Sequence, residues 1–242
     1  MSFVNNLIPK KLKTPVCSMV VLAAGSSQRM GYDKITADLK GKPVILRTLQ
    51  AFDDSECINE IIVVTRSESV AELSDIIDQA GLKKVKKVVE GGKTRAESSN
   101  IGVFHCSKNA KLIGIHDGAR PLVTGDVILR CVKGARVGHA CVPGIPPTDT
   151  IKQINVKHEV ESTIPRDKTR LIQTPQVFDS SLIKGALTKA ISEGWSITDD
   201  ASAVEKMGIK ILVVDGSAEN IKLTSPIDFY IAEKILDNRG VE

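Results

Sequence analysis

Short, continuous apolar runs recur along the chain: "SMVVLAAG" at 18–25, "EIIVVT" at 60–65, "KVKKVVE" at 84–90, "KLIGIHDGA" at 111–119, "HACVPGI" at 139–145 and "IKILVVDG" at 209–216. Most lack polar alternation, which predicts strands covered on both faces. Between them the apolar spacing changes to three and four, in "PVILRTLQAF", "SVAELSDIIDQAG", "RAESSNIGVFHC" and "DASAVEKMG", and predicts helices. The last has an Asp at its start and a Gly at its end, as helix caps should. Strand and helix in alternation predict a doubly wound, mostly parallel α/β sheet.

Residues 146–178, "PPTDTIKQINVKHEVESTIPRDKTRLIQTPQVF", break the alternation. Strand, polar turn and strand succeed one another there, which predicts a β-arm inserted at about 146–175. Such an arm has too few apolar residues for a core, so it is expected to pack on another copy and make a homodimer. The chain shows no internal repeat, low-complexity tract or linker, so residues 18–242 are taken as one domain after a flexible leader, 1–17.

Composition narrows the partners. The 242 residues are 42% hydrophobic and 26% charged, which places the chain in the ordinary globular class. A net charge of +4 on scattered Lys and Arg favours an anionic small molecule over a polyanion. Aromatics at 3%, with one Trp (Trp195), leave few stacking platforms, so nucleic acid is not an expected partner. No apolar run approaches the ~20 residues of a membrane span, and the leader lacks the apolar stretch of a secretory signal. Five cysteines, odd in number and without a CxxC pair, suggest buried thiols in a reducing compartment and a cytoplasmic location. Cys106 beside His105 falls at a predicted helix end and is not expected to be a catalytic pair.

"VVLAAGSSQRMGYDK" at 20–34 is the first stretch that suggests chemistry. A parallel strand ending near Ala23 delivers the next residues to the carboxyl edge of the sheet. There Ala23, Ala24 and Gly25 let backbone N–H groups approach a phosphate, and Arg29 and Lys34 add positive charge. The loop has neither the GK[ST] of a Walker A sequence nor a GxGxxG. Taken alone, it is equally an ordinary βα turn. Asp117 after its apolar run is a metal ligand or a turn cap, Asp199 and Asp200 a helix N-cap, Arg166 a turn charge and Lys222 a strand-edge lysine. His116 lies on the opposite strand face from Asp117.

The joint pattern is more specific. "LAAGSSQRM" and then a lysine, "GKPVILRTLQAF", "EGGKTRAESSNIGV", "IHDGARPLV", "PPTDTIK", "IPRDKTRLIQTPQVF", "ITDDASAVEKMG" and "NIKLTSPIDFYIAEKIL" stand in the order and spacing of one family. From about residue 18 to 236 the chain resembles the 2-C-methyl-D-erythritol 4-phosphate cytidylyltransferases. The resemblance implies a Rossmann-like nucleotidyltransferase, with CTP and a polyol phosphate as substrates and Mg2+ as cofactor. It implies that Arg29, Lys34 and Lys222 are the catalytic cations of the triphosphate site. Gly91, Gly92 and Ser98 would bind cytosine and ribose, and Asp117 would ligate Mg2+ and substrate, with Arg120 near the acceptor. Thr150 and Arg166 would reach the acceptor phosphate from the arm, across the dimer, and Thr198 would be a further contact. Ser26, Ser27 and Asp33 depart from the family's usual loop. A ribitol 5-phosphate cytidylyltransferase, a transferase using another nucleotide and an inactive nucleotide-binding module are the alternatives.

Overall fold

The computed structural model describes residues 16–25 and 33–241. Residues 1–15 of the expected leader, Ser26, Ser27 and Arg29 lie outside the described residues. In chain order, β1 (Cys17–Leu22) is followed by a small hairpin, β2 (Asp38–Leu39) and β3 (Lys42–Pro43), then α1 (Val44–Asp53), β4 (Glu60–Thr65) and α2 (Val70–Gln79). Next come β5 (Val85–Glu90), α3 (Arg95–His105), β6 (Leu112–Asp117), α4 (Gly125–Gly138) and β7 (Ala140–Ile145). The excursion contains β8 (Ile151–Ile154), β9 (Val160–Ile164) and β10 (Leu171–Ile172), and β11 (Gln176–Asp179) returns to the sheet. After it come α5 (Ser180–Ser192), α6 (Asp200–Lys206), β12 (Leu212–Asp215) and α7 (Pro226–Asn238).

One eight-stranded sheet organises these elements. β1 lies between β4 and β6, parallel to both, and β5 extends the sheet beyond β4. On the other side β11 runs antiparallel between β6 and β7, and β7 also pairs with β10 and, in parallel, with β12. The chain leaves β1 toward β4 and later returns to β1's other side as β6, so a crevice opens where their carboxyl ends diverge.

Alternate residues of β1 serve opposite faces. Met19 and Val21 pack with Leu49 of α1, Leu73 of α2 and Cys131 of α4. Val20 joins Ile62, Val64, Val103 of α3 and Leu187 of α5 on the other face. That two-sided burial is why the β1 and β4 runs lack polar alternation. β5 differs: its Lys86 and Lys87 are exposed at the sheet edge, where lysines discourage pairing with another chain. α7 lays Phe229, Ala232 and Leu236 over Leu39, Leu122 and Leu223, a third apolar cluster beside the carboxyl edge.

The helical spacing named four helices, whereas α4, α5 and α7 were not among them. α4 shows why: it holds Gly125, Gly134 and Gly138, residues that lower helix propensity. A Cβ on Gly134 would lie 2.4 Å from the Cys141 sulfur, so this glycine lets α4 approach β7 closely. β8 and β9 form a separate antiparallel hairpin, and none of residues 151–172 is buried.

α3 presses on the sheet in the same way. A Cβ at Gly102 would lie 2.3 Å from Val20 Cγ1 and 2.9 Å from Val64 Cγ2. Gly102→Ala is therefore expected to destabilise the protein by about 1–3 kcal/mol through overpacking. Urea unfolding checks this, and an unchanged midpoint would refute the close approach.

Candidate active site

The crevice encloses about 370 Å³ between the ends of β1 and β6 and the start of α3. The Ala23 amide donates to Val64 O at 2.7 Å, after which Ala24 and Gly25 turn into the crevice. Beside them the turn 91–92 is packed tightly, since a Cβ on Gly91 would lie 2.8 Å from Ser98 Oγ and 3.3 Å from Ala24 Cβ. Ser98 Oγ accepts from the Gly92 amide at 3.1 Å and donates to Thr94 O at 3.0 Å, which fixes that turn onto α3. A capping box closes the helix start: Thr94 Oγ1 accepts from the Glu97 amide, and Glu97 Oε2 accepts from the Lys93 and Thr94 amides. The Glu97 carboxylate occupies those amides, so this helix start suits a neutral base or ribose better than a triphosphate.

Positive charge gathers instead around Asp117, the last residue of β6. Lys222 Nζ lies 3.0 Å from its Oδ2, Arg120 Nε 3.5 Å from Oδ2, and Arg95 Nη2 3.6 Å from Oδ1. Burial works against ionisation of Asp117, but these three cations outweigh it and hold the carboxyl well below the usual carboxylate range. Main-chain bonds bring the cations there: the Gly118 amide donates to Leu22 O at 2.8 Å, and the Leu223 amide to Ala119 O at 2.8 Å. Arg120 Nη1 donates to Asn220 O at 2.8 Å, joining the turn after β6 to the loop that carries Lys222.

Behind the carboxylate, the Asp117 amide donates to Thr174 Oγ1 at 3.1 Å. The Thr174 hydroxyl then has its proton for His116 Nδ1, 3.0 Å away, and His116 Nε2–H donates to Arg120 O at 3.2 Å. This arrangement specifies the neutral Nε2–H tautomer. Burial pushes the imidazole down to about 4, against the opposing charge of Asp117. His116 also meets the Phe52 ring edge-on at 4.8 Å and is buried without lining the crevice, so it braces the site and is no acid or base for it.

The family model for 2-C-methyl-D-erythritol 4-phosphate cytidylyltransferase matches residues 17–238. The chain belongs to that family. It is 40% identical over 222 residues to the enzyme of that name from Caldanaerobacter subterraneus, covering 90% of this chain and 98% of that one. A relative of the same name from Halalkalibacterium halodurans is 40% identical over 221 residues, with 90% and 96% covered. Among solved structures, 4-diphosphocytidyl-2C-methyl-D-erythritol synthase from Anaerococcus prevotii superposes with a TM-score of 0.84 at 30% identity, over 93% of this chain and 97% of that one. The Thermus thermophilus 2-C-methyl-D-erythritol 4-phosphate cytidylyltransferase gives 0.74 at 28% identity, over 92% and 99%. The fold is thus the Rossmann-like one of these nucleotidyltransferases.

Of the residues that the family resemblance singled out, Ala24, Gly25, Lys34, Gly92, Ser98, Asp117 and Lys222 line the crevice. Ala23 is buried one residue before it, Gly91 lies behind Gly92, and Arg120 reaches it through Asp117. Thr150, Arg166 and Thr198 are exposed and do not line it; Arg166 Nη1 donates to Thr148 O at 2.8 Å within the arm. Lys222 stands in a loop and not at a strand edge. Asp33, the odd acidic neighbour, is paired with Arg66 and accepts from the Ile35 amide, so its charge is neutralised locally. Asp199 is the α6 N-cap, accepting from the Ser202 amide at 2.9 Å. The sequence patterns assign no role to Arg95, Thr174 or Asn220, and to Asp200 only a share in a helix N-cap. All four stand inside the matched blocks, but none announces a partner by its spacing.

No group of three or more His, Cys, Asp or Glu among the described residues could hold a metal. Among the described residues that line the crevice Asp117 is the one carboxylate, and a single carboxylate fits a Mg2+ that would take its other ligands from phosphate oxygens and water. The five cysteines are buried and unpaired, and burial pushes the Cys106 thiol up to about 12, which removes it as a nucleophile.

The lowered pKa of His116 sets a pH dependence. The unfolded imidazole takes up its proton near pH 6.5, the folded one only near 4, so stability from the neutral ring is present above 6.5 and is lost as pH falls toward 4. Denaturant unfolding should show about 2–3 kcal/mol less stability at pH 4 than at 7 from this group, and His116→Gln should flatten that part of the profile. Identical slopes for wild type and variant would remove His116 as the cause.

Proposed function

We propose that the protein transfers the cytidylyl group of CTP to 2-C-methyl-D-erythritol 4-phosphate, releasing pyrophosphate and forming CDP-methylerythritol, in the non-mevalonate route to isoprenoid precursors. The observation that carries this reading is a crevice, lined by Lys34, in which Lys222 and Arg95 stand beside one ionised carboxylate, with no nucleophile–base pair among its described lining residues. An oxygen of the acceptor phosphate, already anionic at neutral pH, attacks the α-phosphorus as the bond to the β-phosphate oxygen breaks. Such a step needs positioning and charge neutralisation. Lys34 and Lys222 bind the triphosphate and stabilise the charge that grows on the leaving pyrophosphate. The turn 91–92 with Ser98 receives the nucleoside, and Asp117 orients Lys222 and Arg120. Asp117 would hold the Mg2+ that accompanies CTP, which would supply further charge neutralisation at the triphosphate. Arg29 belongs to the same triphosphate site by family resemblance.

The working form we propose is a homodimer. The arm exposes Val156 at 97%, Val160 at 62% and Ile154 at 51%, an apolar surface that a second copy would cover. Thr150 and Arg166 would then meet the acceptor in the partner's crevice. No helix among the described residues is long and apolar enough to cross a membrane, and five unpaired cysteines agree with a reducing cytoplasm.

Pyrophosphate release with CTP and Mg2+ is expected with methylerythritol 4-phosphate and not without an acceptor. Release with ribitol 5-phosphate instead would overturn the acceptor, and silence with both would favour an inactive nucleotide-binding module. Lys222→Ala should lower turnover by about 10²-fold or more. Arg166→Ala should raise the KM for the acceptor while CTP affinity, read by calorimetry, stays close to wild type. An equal loss of CTP affinity would move the arm to the nucleotide.

A further inference from the structure

The cytidylyl transfer assigns no task to Asp200, which is paired with Arg95 of the crevice. Asp200, in the first turn of α6, is fully buried, and its Oδ2 lies 2.7 Å from Arg95 Nη2. Neither Asp200 oxygen has a well-aligned hydrogen bond, so this ion pair is what compensates its charge. The same Arg95 nitrogen lies 3.6 Å from Asp117 Oδ1. One guanidinium nitrogen is thus shared by two carboxylates and sits nearer the buried one.

An arginine free to close on a carboxylate takes both oxygens with its planar fork. Asp117 so engaged would have no oxygen to offer a metal. A desolvated carboxylate such as Asp200 holds its counter-ion strongly, because leaving it unpaired in a low dielectric is costly. We propose that Asp200 is a positioning residue for metal–nucleotide binding: it retains Arg95, prevents the guanidinium from closing on Asp117, and so leaves an Asp117 oxygen for the Mg2+ that accompanies CTP. The inference rests on the cytidylyltransferase reading of the crevice. It concerns a residue that lies outside the crevice and acts on it through Arg95.

Calorimetric titration of the full-length protein with CTP over a series of Mg2+ concentrations tests it without any turnover. Asp200→Asn should raise the Mg2+ concentration for half-maximal CTP binding by about tenfold or more, as loss of an outer-shell partner does at metal sites. The double variant Asp200→Asn with Arg95→Gln should return it toward wild type, because no guanidinium remains to close on Asp117. A merely structural role for Asp200 would make the double variant no better than the single one. Arg95→Gln alone should lower the Mg2+ requirement, because no guanidinium then competes for Asp117 Oδ1, and this decides the matter if Asp200→Asn fails to fold. An unshifted requirement in Asp200→Asn, no recovery in the double variant, or an unchanged or raised requirement in Arg95→Gln would each overturn the inference. Failure of the wild type to bind CTP would overturn the functional reading and this inference together, whereas wild-type binding indifferent to Mg2+ would overturn the inference alone.

Discussion

Keeping Asp117 ionised at the end of a buried strand is the condition on which the rest of the site depends. Burial by itself pushes that carboxyl toward its neutral form. It stays charged because cations arrive from three separate parts of the chain: Arg120 from the turn after β6, Arg95 from the start of α3 and Lys222 from the loop before α7. Together they hold the acid in its charged form, and Arg95 is held in turn by Asp200. The same charges that stabilise the folded crevice are those a triphosphate would recruit, so the site is pre-organised for an anionic ligand. Little of it need be rebuilt on binding.

A polar scaffold behind the carboxylate supports this arrangement. Thr174, at the end of the excursion, accepts from the Asp117 amide and donates to His116, and His116 donates to the Arg120 carbonyl. Asn220 Nδ2 donates to Thr174 O at 2.9 Å, and its main-chain carbonyl accepts from Arg120. A residue from the arm's return, one from β6 and one from the loop of Lys222 are therefore joined in one buried network. Because these members are hydrogen-bonded to one another, a shift in any of these segments would be felt at Asp117. The arm is thus anchored at its root to the chemistry, while its tip, with every residue from 151 to 172 outside the core, is left for contact with something else.

Much of the architecture could be read from local patterns. The runs at 60–65 and 112–117 are strands buried on both faces, the first through β-branched residues on each side and the second with Ile113 and Ile115 on one side and Leu112 and His116 on the other. The lysines at 86 and 87 could have marked β5 as an edge, since charge cannot be buried on either face of a central strand. Family blocks supplied Lys34, Asp117 and Lys222, which the fold then brought to one crevice. α4 escaped notice because its glycines, which local propensity penalises, are explained only by the nearness of β7.

Periodicity and residue type along the chain are enough to establish the strand–helix alternation, the inserted arm and the presence of enough cations for a triphosphate. That Arg95 and Asp200, far apart in sequence, are paired, that His116 is a brace, and that Asp33 is neutralised by Arg66 follow from the folded arrangement alone. Each of those is a question of which charge meets which across the sheet. Pairing energies depend on distance and burial in space, and neither is encoded in the spacing of residues along the chain.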